Sequence, residues 1–314
     1  MLETTWFVLW GLLWAVYFVL DGFDFGMGTL LPFLAKNDEE KRIIYNAAGP
    51  YWDGNEVWLI TAGGVTFAAF PKAYAVMFSA LYAPLLILLF ALIFRAVSFE
   101  FRNKKDCPQW RKFWDACQFL GNFLPALLLG VAFANLFMGI PIDGKGVYHG
   151  NIIKLLNPYG LAGGIFFVLI FCMHGALWLA LKSEGDIHER AVGAAQVVWP
   201  LVLAVALLFL ALTAFYTNLY ANYAEHPTLL IFPILAVASL LTVRVMIWAD
   251  NLLGAWFFSA LFIITVTFFG VLGMYPGIII SSIDPAYSVT VFNGASISCG
   301  ACARACKMDV DITK

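Results

Sequence analysis

Long apolar stretches separated by short polar segments dominate the chain. A window of about 20 apolar residues is typical of a helix that crosses a membrane, because that length spans the hydrocarbon core. Eight such windows predict spanning helices at residues 5–33, 50–70, 74–95, 115–138, 159–182, 195–216, 228–248 and 254–276. Backbone groups in lipid must pair within their own segment, so spans of this length predict an all-α membrane helix bundle rather than a barrel.

The distribution of lysine and arginine predicts the orientation of this bundle. Every second connection, starting with the first, is rich in basic residues: Lys36, Lys41, Arg42, Arg95, Arg102, Lys104, Lys105, Arg111, Lys112, Lys182, Arg190 and Arg244. The remaining connections hold only Lys72, Lys145 and Lys154. Because basic connections stay in the cytoplasm, the N-terminus is predicted to lie outside.

The composition agrees with a membrane protein and argues against other classes. Of the 314 residues, 62% are hydrophobic and 12% are charged, and the mean hydropathy of +0.85 exceeds that of soluble domains. The net charge is -2 and the basic residues are scattered, so nucleic-acid binding is not expected. The expected organisation is a membrane bundle over residues 1–293 and an atypical cysteine-containing tail over residues 294–314.

Two carboxylates interrupt the first predicted span. Asp21 and Asp24 lie inside an apolar run from Trp6 to Leu34 that holds no other charged residue. About 22 Å of helix separates Trp6 from Asp21, which places both acids toward the predicted cytoplasmic edge of the bilayer. An ionisable residue at this depth is costly, and it indicates a functional site by default.

The second and third spans bring further charges to the same depth. Asp53 and Glu56 begin the second span, and Arg95 ends the third. Four carboxylates beside one guanidinium cannot all be ionised comfortably, so at least one is expected to carry a proton near neutral pH. The cluster formed with Asp21 and Asp24 therefore predicts a proton relay. The alternative is that these acids cap helix ends, pair with Arg95 or bind a partner chain while no proton moves.

His174 is the one histidine that lies well inside a predicted span. A b-type haem held from both sides needs two facing intramembrane histidines, which this chain does not supply. We therefore do not expect haem binding by this chain alone. His174 is predicted to be a packed, hydrogen-bonded histidine.

Four sequence motifs lie in or beside the predicted spans. They are Asp21-Gly22-Phe23-Asp24-Phe25-Gly26-Met27-Gly28, Trp52-Asp53-Gly54-Asn55-Glu56-Val57-Trp58, Phe94-Arg95 and Leu156-Asn157-Pro158-Tyr159-Gly160-Leu161. The first two motifs are long and specific. Together the motifs resemble subunit II of the cytochrome bd-type quinol oxidases, and the resemblance runs from the N-terminus to about Asn293.

The resemblance implies a subunit of a respiratory terminal oxidase in the bacterial cytoplasmic (inner) membrane. Such an enzyme oxidises quinol and reduces oxygen to water. In that family two haems b, one haem d and the quinol-oxidising loop belong to subunit I, which is the expected partner in a heterodimer. No catalytic residue is then expected in this chain, and its other partner is membrane lipid. The resemblance leaves open which quinol is used and whether a small third subunit is present.

The resemblance also implies roles for individual residues. Family accounts of a proton path toward the oxygen site use the acids and the arginine that match Asp24, Asp53 and Arg95. The residues of the predicted proton pathway are Asp24, Asp53, Arg95, Asp21 and Glu56. Trp52 and Asn55 are predicted to support it as neighbours that could order water or the acids.

The tail departs from the family pattern, which continues into a ninth helix. Cys299, Cys302 and Cys306 instead resemble a ferredoxin-type motif, whose thiolates can wrap an iron–sulfur cluster. Ser296 stands where the first cysteine should be, Lys307 replaces the usual proline, and the tail is predicted to lie outside. An iron–sulfur cluster is therefore one alternative beside a truncated, fused or frame-shifted end and beside disulfide pairing of these thiols.

Two other functional classes compete with the oxidase hypothesis. A secondary transporter or ion-translocating subunit could bind a cation at the buried acids of a broken first helix. An electron-transfer subunit could use a cluster in the tail. Haem absorbance of a co-purified partner, ion transport and iron content would distinguish the three classes.

Overall fold

The computed structural model describes residues 1–295, and it is an α-helical bundle. Its helices are α1 (Leu2–Leu34), α2 (Asp38–Ala48), α3 (Trp52–Ala69), α4 (Pro71–Ala80), α5 (Tyr82–Phe101), α6 (Pro108–Met138), α7 (Ile152–Leu155), α8 (Pro158–Lys182), α9 (Gly185–Tyr216), α10 (Leu219–Glu225), α11 (Ile231–Trp248), α12 (Leu252–Met274) and α13 (Val291–Gly294). Seven helices within this range are long and apolar enough to cross a membrane, namely α1, α5, α6, α8, α9, α11 and α12.

The predicted second and third spans differ from the helices observed. The second span, at residues 50–70, is α3, which is helical over 18 residues but less apolar than the seven because its first turns are polar. The predicted bounds of the third span, 74–95, are wrong, since the helix is interrupted at Leu81 between α4 and α5. Pro71 begins α4 and Pro84 lies in the first turn of α5, positions that proline favours. Arg95 consequently lies inside α5 and not at its end.

α1 packs in the middle of the bundle, and its contact with α8 depends on glycine. A Cβ on Gly26 would overlap the carbonyl oxygen of Phe171, and a Cβ on Gly175 would press on the backbone of α1 at Phe23 and Met27. Small residues allow helices in a membrane to approach this closely. Residues 21–31 of α1, the segment that carries the two aspartates, are all buried.

Ion pairs tie the predicted cytoplasmic end of the bundle together. The Arg102 guanidinium is 1% exposed and lies 2.6 Å from carboxylates of both Asp38 and Asp115. Lys41 Nζ lies 2.8 Å from Asp115, and Arg190 on α9 lies 2.6 Å from a carboxylate oxygen of α2. The short helix α2 is thereby fixed to the start of α6 and to α9.

The opposite end of the bundle holds a small antiparallel hairpin of β1 (Gly277–Ile279) and β2 (Val289–Thr290). The connection after α6 joins it, since the Ile140 amide donates to the Ile280 carbonyl over 2.9 Å. This hairpin is an addition to the predicted all-α architecture, which is otherwise confirmed. The tail with Cys299, Cys302 and Cys306 lies outside the described residues.

Candidate functional site

Arg95 occupies the centre of the cluster of charged residues. Its guanidinium is completely buried on α5, and its NH1 lies 2.7 Å from Asp21 Oδ1. Its NH2 lies 3.3 Å from Glu56 Oε1, and its Cζ lies 4.7 Å from the centroid of the Phe25 ring. One guanidinium therefore joins carboxylates from α1 and α3 inside the bundle.

Asp24 is held by a neutral donor instead. Its side chain is 2% exposed, and Asn55 Nδ2 on α3 donates to Asp24 Oδ2 over 2.8 Å and to the Leu20 carbonyl over 2.9 Å. The other carboxyl oxygen, Asp24 Oδ1, has no hydrogen-bond partner among the described residues. Asp24 is thus the buried acid that lacks a cationic partner within ion-pair distance in the part of the chain described.

The charges of this cluster do not balance when every group is ionised. Asp21, Asp24 and Glu56 surround the single guanidinium of Arg95, and Asp21 makes the shortest contact with it. A buried charge without a counter-ion is strongly unfavourable. The Glu56 side chain is 21% exposed, so part of it lies at the surface of the bundle. Asp24 is therefore the acid of this cluster that makes no ion pair with the guanidinium in the described part of the chain.

Two of the predicted site residues lie apart from this cluster. Asp53 is exposed and makes no side-chain hydrogen bond or ion pair with any residue in the range 1–295. Trp52 stacks on Phe99, with ring centroids 5.3 Å apart and ring planes at 5°. The structure brings together Asp21, Asp24, Asn55, Glu56 and Arg95.

Two buried polar residues that were not predicted from the sequence lie beside the cluster. The hydroxyl of Tyr17 is completely buried on α1, one turn before Asp21 and within interaction range of its carboxylate. Asn122 on α6 is completely buried, and its side chain packs on Gly28. Spacing of four residues from Asp21 could have indicated Tyr17, and an amide inside the predicted span 115–138 could have indicated Asn122.

The prediction that His174 is packed and hydrogen-bonded is confirmed. Its Nε2 lies 3.1 Å from the Val19 carbonyl and its Nδ1 lies 2.6 Å from the Ser259 hydroxyl, while its ring stacks on Trp256 with centroids 5.2 Å apart. Both ring nitrogens are engaged, so His174 does not fit an axial haem ligand here. Residues 1–295 hold no group of three or more His, Cys, Asp or Glu side chains suited to a metal ion.

Comparison with known proteins gives a consistent assignment. The family described as cytochrome bd terminal oxidase subunit II matches residues 2–298. The chain is 37% identical over 301 residues to cytochrome bd ubiquinol oxidase subunit 2 of Bacillus subtilis, with 94% of this chain and 87% of that protein covered. It is 36% identical over 326 residues to the probable cytochrome oxidase subunit 2 of Haemophilus influenzae, covering 94% of this chain and 86% of that protein.

A solved structure has the same fold. The bd oxidase from Geobacillus thermodenitrificans superposes with a TM-score of 0.76 over 96% of this chain and 92% of the matched chain, at 16% sequence identity. The resemblance inferred from the motifs is confirmed, and the transporter alternative is not favoured. With seven apolar helices in residues 1–295, the protein is a multi-pass protein of the bacterial inner membrane. The chain belongs to the family of subunit II of the cytochrome bd terminal oxidases, and it is a subunit of that oxidoreductase complex.

Proposed function

We propose that this chain supports the oxidase by carrying protons from the cytoplasmic side through Asp24 toward the haem-bearing subunit I, for which it also forms the scaffold. Relatives are named as subunits of a ubiquinol oxidase, so the reaction supported is oxidation of a quinol coupled to reduction of oxygen to water. The haem groups of the partner would supply the oxygen chemistry. This chain supplies fixed charges and a proton-bearing carboxyl.

The observation that carries this proposal is the hydrogen bonding of Asp24. Its carboxyl is buried and receives one hydrogen bond from the neutral Asn55 amide, and its Oδ1 has no hydrogen-bond partner in residues 1–295. Arg95 is engaged by Asp21, so the compensating charge nearby is already paired. A carboxyl group in this setting can take up a proton and present it at Oδ1 without breaking the Asn55 contact.

Burial increases stepwise along the proposed path. Asp53 is exposed at the start of α3, Glu56 lies one turn further on and is partly buried, and Asp24 is 2% exposed. Acids arranged in this way can pass protons inward along hydrogen bonds and water. We assign Asp53 to entry, Glu56 to the intermediate position and Asp24 to the buried end, with Arg95 holding Asp21 as a fixed pair.

The outward face of α3 is the surface that we assign to contact with the partner subunit. Val57 and Ile60 are 51% and 73% exposed on this face, and Cβ atoms on Gly54 and Gly64 would meet open space. Small residues on a membrane helix allow a neighbouring helix to approach closely. A partner helix on this face would lie beside Asp53 and Glu56, next to the proposed path.

Replacing single carboxyl groups in the assembled complex tests the pathway. Asp24→Asn keeps the side-chain shape and an acceptor for Asn55, so the complex should assemble with normal haem absorbance. Oxygen consumption or its coupled proton uptake should fall by about tenfold or more, because positioned proton transfer contributes at least that factor. Asp53→Asn should slow the same step by a smaller factor, since solvent can replace an exposed entry group.

Asp250→Asn is the matched control, because Asp250 is an exposed acid with positive φ (55°), a conformation that asparagine tolerates well. Its turnover should equal that of the parent complex. Unchanged turnover of a stable Asp24→Asn complex would reject the relay. Failure of that variant to assemble would favour a structural role for Asp24.

A further inference from the structure

An apolar cavity of about 120 Å³ lies between α6, α8, α9, α11 and α12. Phenylalanine rings line its inner end, among them Phe18, Phe133 and Phe166. Leu207 on α9 and Val237 on α11 also line the cavity, and they are 61% and 53% exposed. The cavity therefore opens on the outer surface of the bundle, between α9 and α11.

A cationic group lies one helical turn beyond the last cavity-lining residues of α11. Leu240 and Leu241 line the cavity, and Arg244 follows them on α11 by one turn, about 5.4 Å of helix. The Arg244 guanidinium carbon lies 5.6 Å from the ring centroid of Trp199 and 4.9 Å from that of Trp248. Two tryptophans beside a cationic side chain near a helix end are typical of the membrane–water interface.

The positive charge of Arg244 is not compensated within the described residues. Its NH1 donates to the Gln196 carbonyl over 3.2 Å, a carbonyl whose usual helical donor is replaced by Pro200. No carboxylate of residues 1–295 lies within ion-pair distance of its guanidinium. The partly exposed guanidinium thus keeps donors for an anion, and its planar fork suits a phosphate group.

We propose that the groove between α9 and α11 binds one anionic phospholipid of the cytoplasmic leaflet. Its phosphate contacts Arg244 between Trp199 and Trp248, and one acyl chain enters the cavity past Leu207. Charge complementarity favours this occupant, because an unpaired guanidinium sits at interfacial depth directly beside an apolar chamber open to lipid. The spacing of one turn between Arg244 and the last cavity-lining residues of α11 matches a lipid with its phosphate outside and its chain inside.

Native mass spectrometry of the two-subunit complex tests this site. The complex is placed in phosphatidylcholine nanodiscs that contain a small fraction of phosphatidylglycerol, and the phosphatidylglycerol it retains is counted. Arg244→Gln should lower retention about tenfold, the effect of losing one charge-assisted contact. Lys112→Gln is the matched control, because Lys112 is an exposed basic residue near the start of α6, away from this groove, and it should retain the lipid as the parent does.

A second pair of variants tests the acyl-chain cavity with Arg244 intact. Ala206→Phe fills the cavity from α9 and Ala236→Val reduces it more mildly from α11. Both variants should lower phosphatidylglycerol retention while the haem absorbance of the complex is unchanged. If Ala206→Phe does not assemble, the result for Ala236→Val decides the test. Parental retention in Arg244→Gln, parental retention in the cavity variant that assembles, or equal retention of phosphatidylcholine by the parent complex would each overturn the proposal.

Discussion

At the residue scale, the pair of Asp21 and Arg95 makes a prediction about assembly. Both side chains are completely buried, so Arg95→Met leaves a buried carboxylate without its counter-ion. That loss costs about 3–5 kcal/mol of stability, and thermal unfolding of the purified complex should shift strongly downward or the yield should fall. Replacing both partners by apolar residues removes the unpaired charge, so Asp21→Leu combined with Arg95→Met should recover most of the lost stability.

The double variant separates folding from function. Its unfolding temperature should approach that of the parent complex, while turnover should stay low because the fixed pair beside Asp24 is gone. If the double variant is as unstable as Arg95→Met alone, the contacts of Arg95 with Glu56 and Phe25, and not its pairing with Asp21, hold the bundle together.

The position of Asp53 shows which part of this site could be predicted from the sequence and which part could not. Residues three apart share a helix face, so grouping Asp53 with Glu56 was reasonable, and Glu56 does contact Arg95. The inward face of α3, however, is centred on Asn55, which follows Asp53 by about 200° of rotation. Asp53 therefore points away from the cluster. Both faces of α3 are mixed in polarity, so its rotation depends on packing against α1 and could not be determined from the pattern.

At the element scale, the contact of α1 with α8 predicts the effect of one methyl group. Gly26→Ala would place a Cβ on the carbonyl oxygen of Phe171, and backbone cannot yield as a flexible side chain can. The destabilisation should be about 1–3 kcal/mol or more, measured as a lower unfolding temperature of the complex. Gly193→Ala on α9 is the matched control, because its Cβ would meet nothing within 4 Å and alanine favours a helix. A neutral Gly26→Ala would contradict this packing.

The connection between α6 and α7 makes a prediction about pH. His149 Nε2 lies 3.0 Å from Asp143 Oδ2, and the Lys145 and Val147 amides donate to Asp143 Oδ1 over 2.9 Å each. The hydrogen bond from His149, followed by the backbone donors, lowers the pKa of Asp143 from 3.8 to about 2. A lowered pKa stabilises the folded loop fully above pH 3.8, and this contribution is lost as the pH falls toward about 2.

Hydrogen exchange of a peptide covering this loop measures the effect. Protection relative to Asp143→Asn at the same pH should be large at pH 5 and should shrink on acidification to about pH 3. Comparison at matched pH cancels the intrinsic pH dependence of exchange. Equal protection of both proteins at pH 5 would mean that the Asp143 contacts do not order the loop.

The break between α4 and α5 shows that a hydropathy pattern can fail to determine where a helix begins and ends. Residues from Ala73 to Phe94 are almost uniformly apolar, so a window of spanning length fits there in several registers. Pro84 was the local signal that a helix starts nearby, since proline is favoured in a first turn. The corrected register carries α5 on to Phe101 and puts Arg95 well inside it, where it meets Asp21. The existence of these helices was predictable, but their ends required tertiary contacts.

At the scale of the whole molecule, the described bundle contains the proposed path but leaves its entrance uncovered. The seven spanning helices bury Asp21, Asp24 and Arg95, whereas the face of α3 that carries Asp53 stays exposed. An exposed acid beside exposed Val57 and Ile60 suits contact with another subunit better than contact with lipid tails. The motifs could reveal the family, whereas the proposed division of one pathway between two chains rests on which faces the described bundle leaves open.

The orientation of the bundle is the whole-molecule prediction on which proton uptake depends. Basic connections predict that Lys104 faces the cytoplasm and that Lys145 faces outside, and both are exposed. In a variant with all six native cysteines replaced by serine, a membrane-impermeant thiol reagent added to intact cells should label Lys145→Cys. Lys104→Cys should be labelled only after the membrane is opened. The reverse pattern would put the Asp24 cluster near the outer surface, where it could not draw protons from the cytoplasm, and the proposed pathway would have to be abandoned.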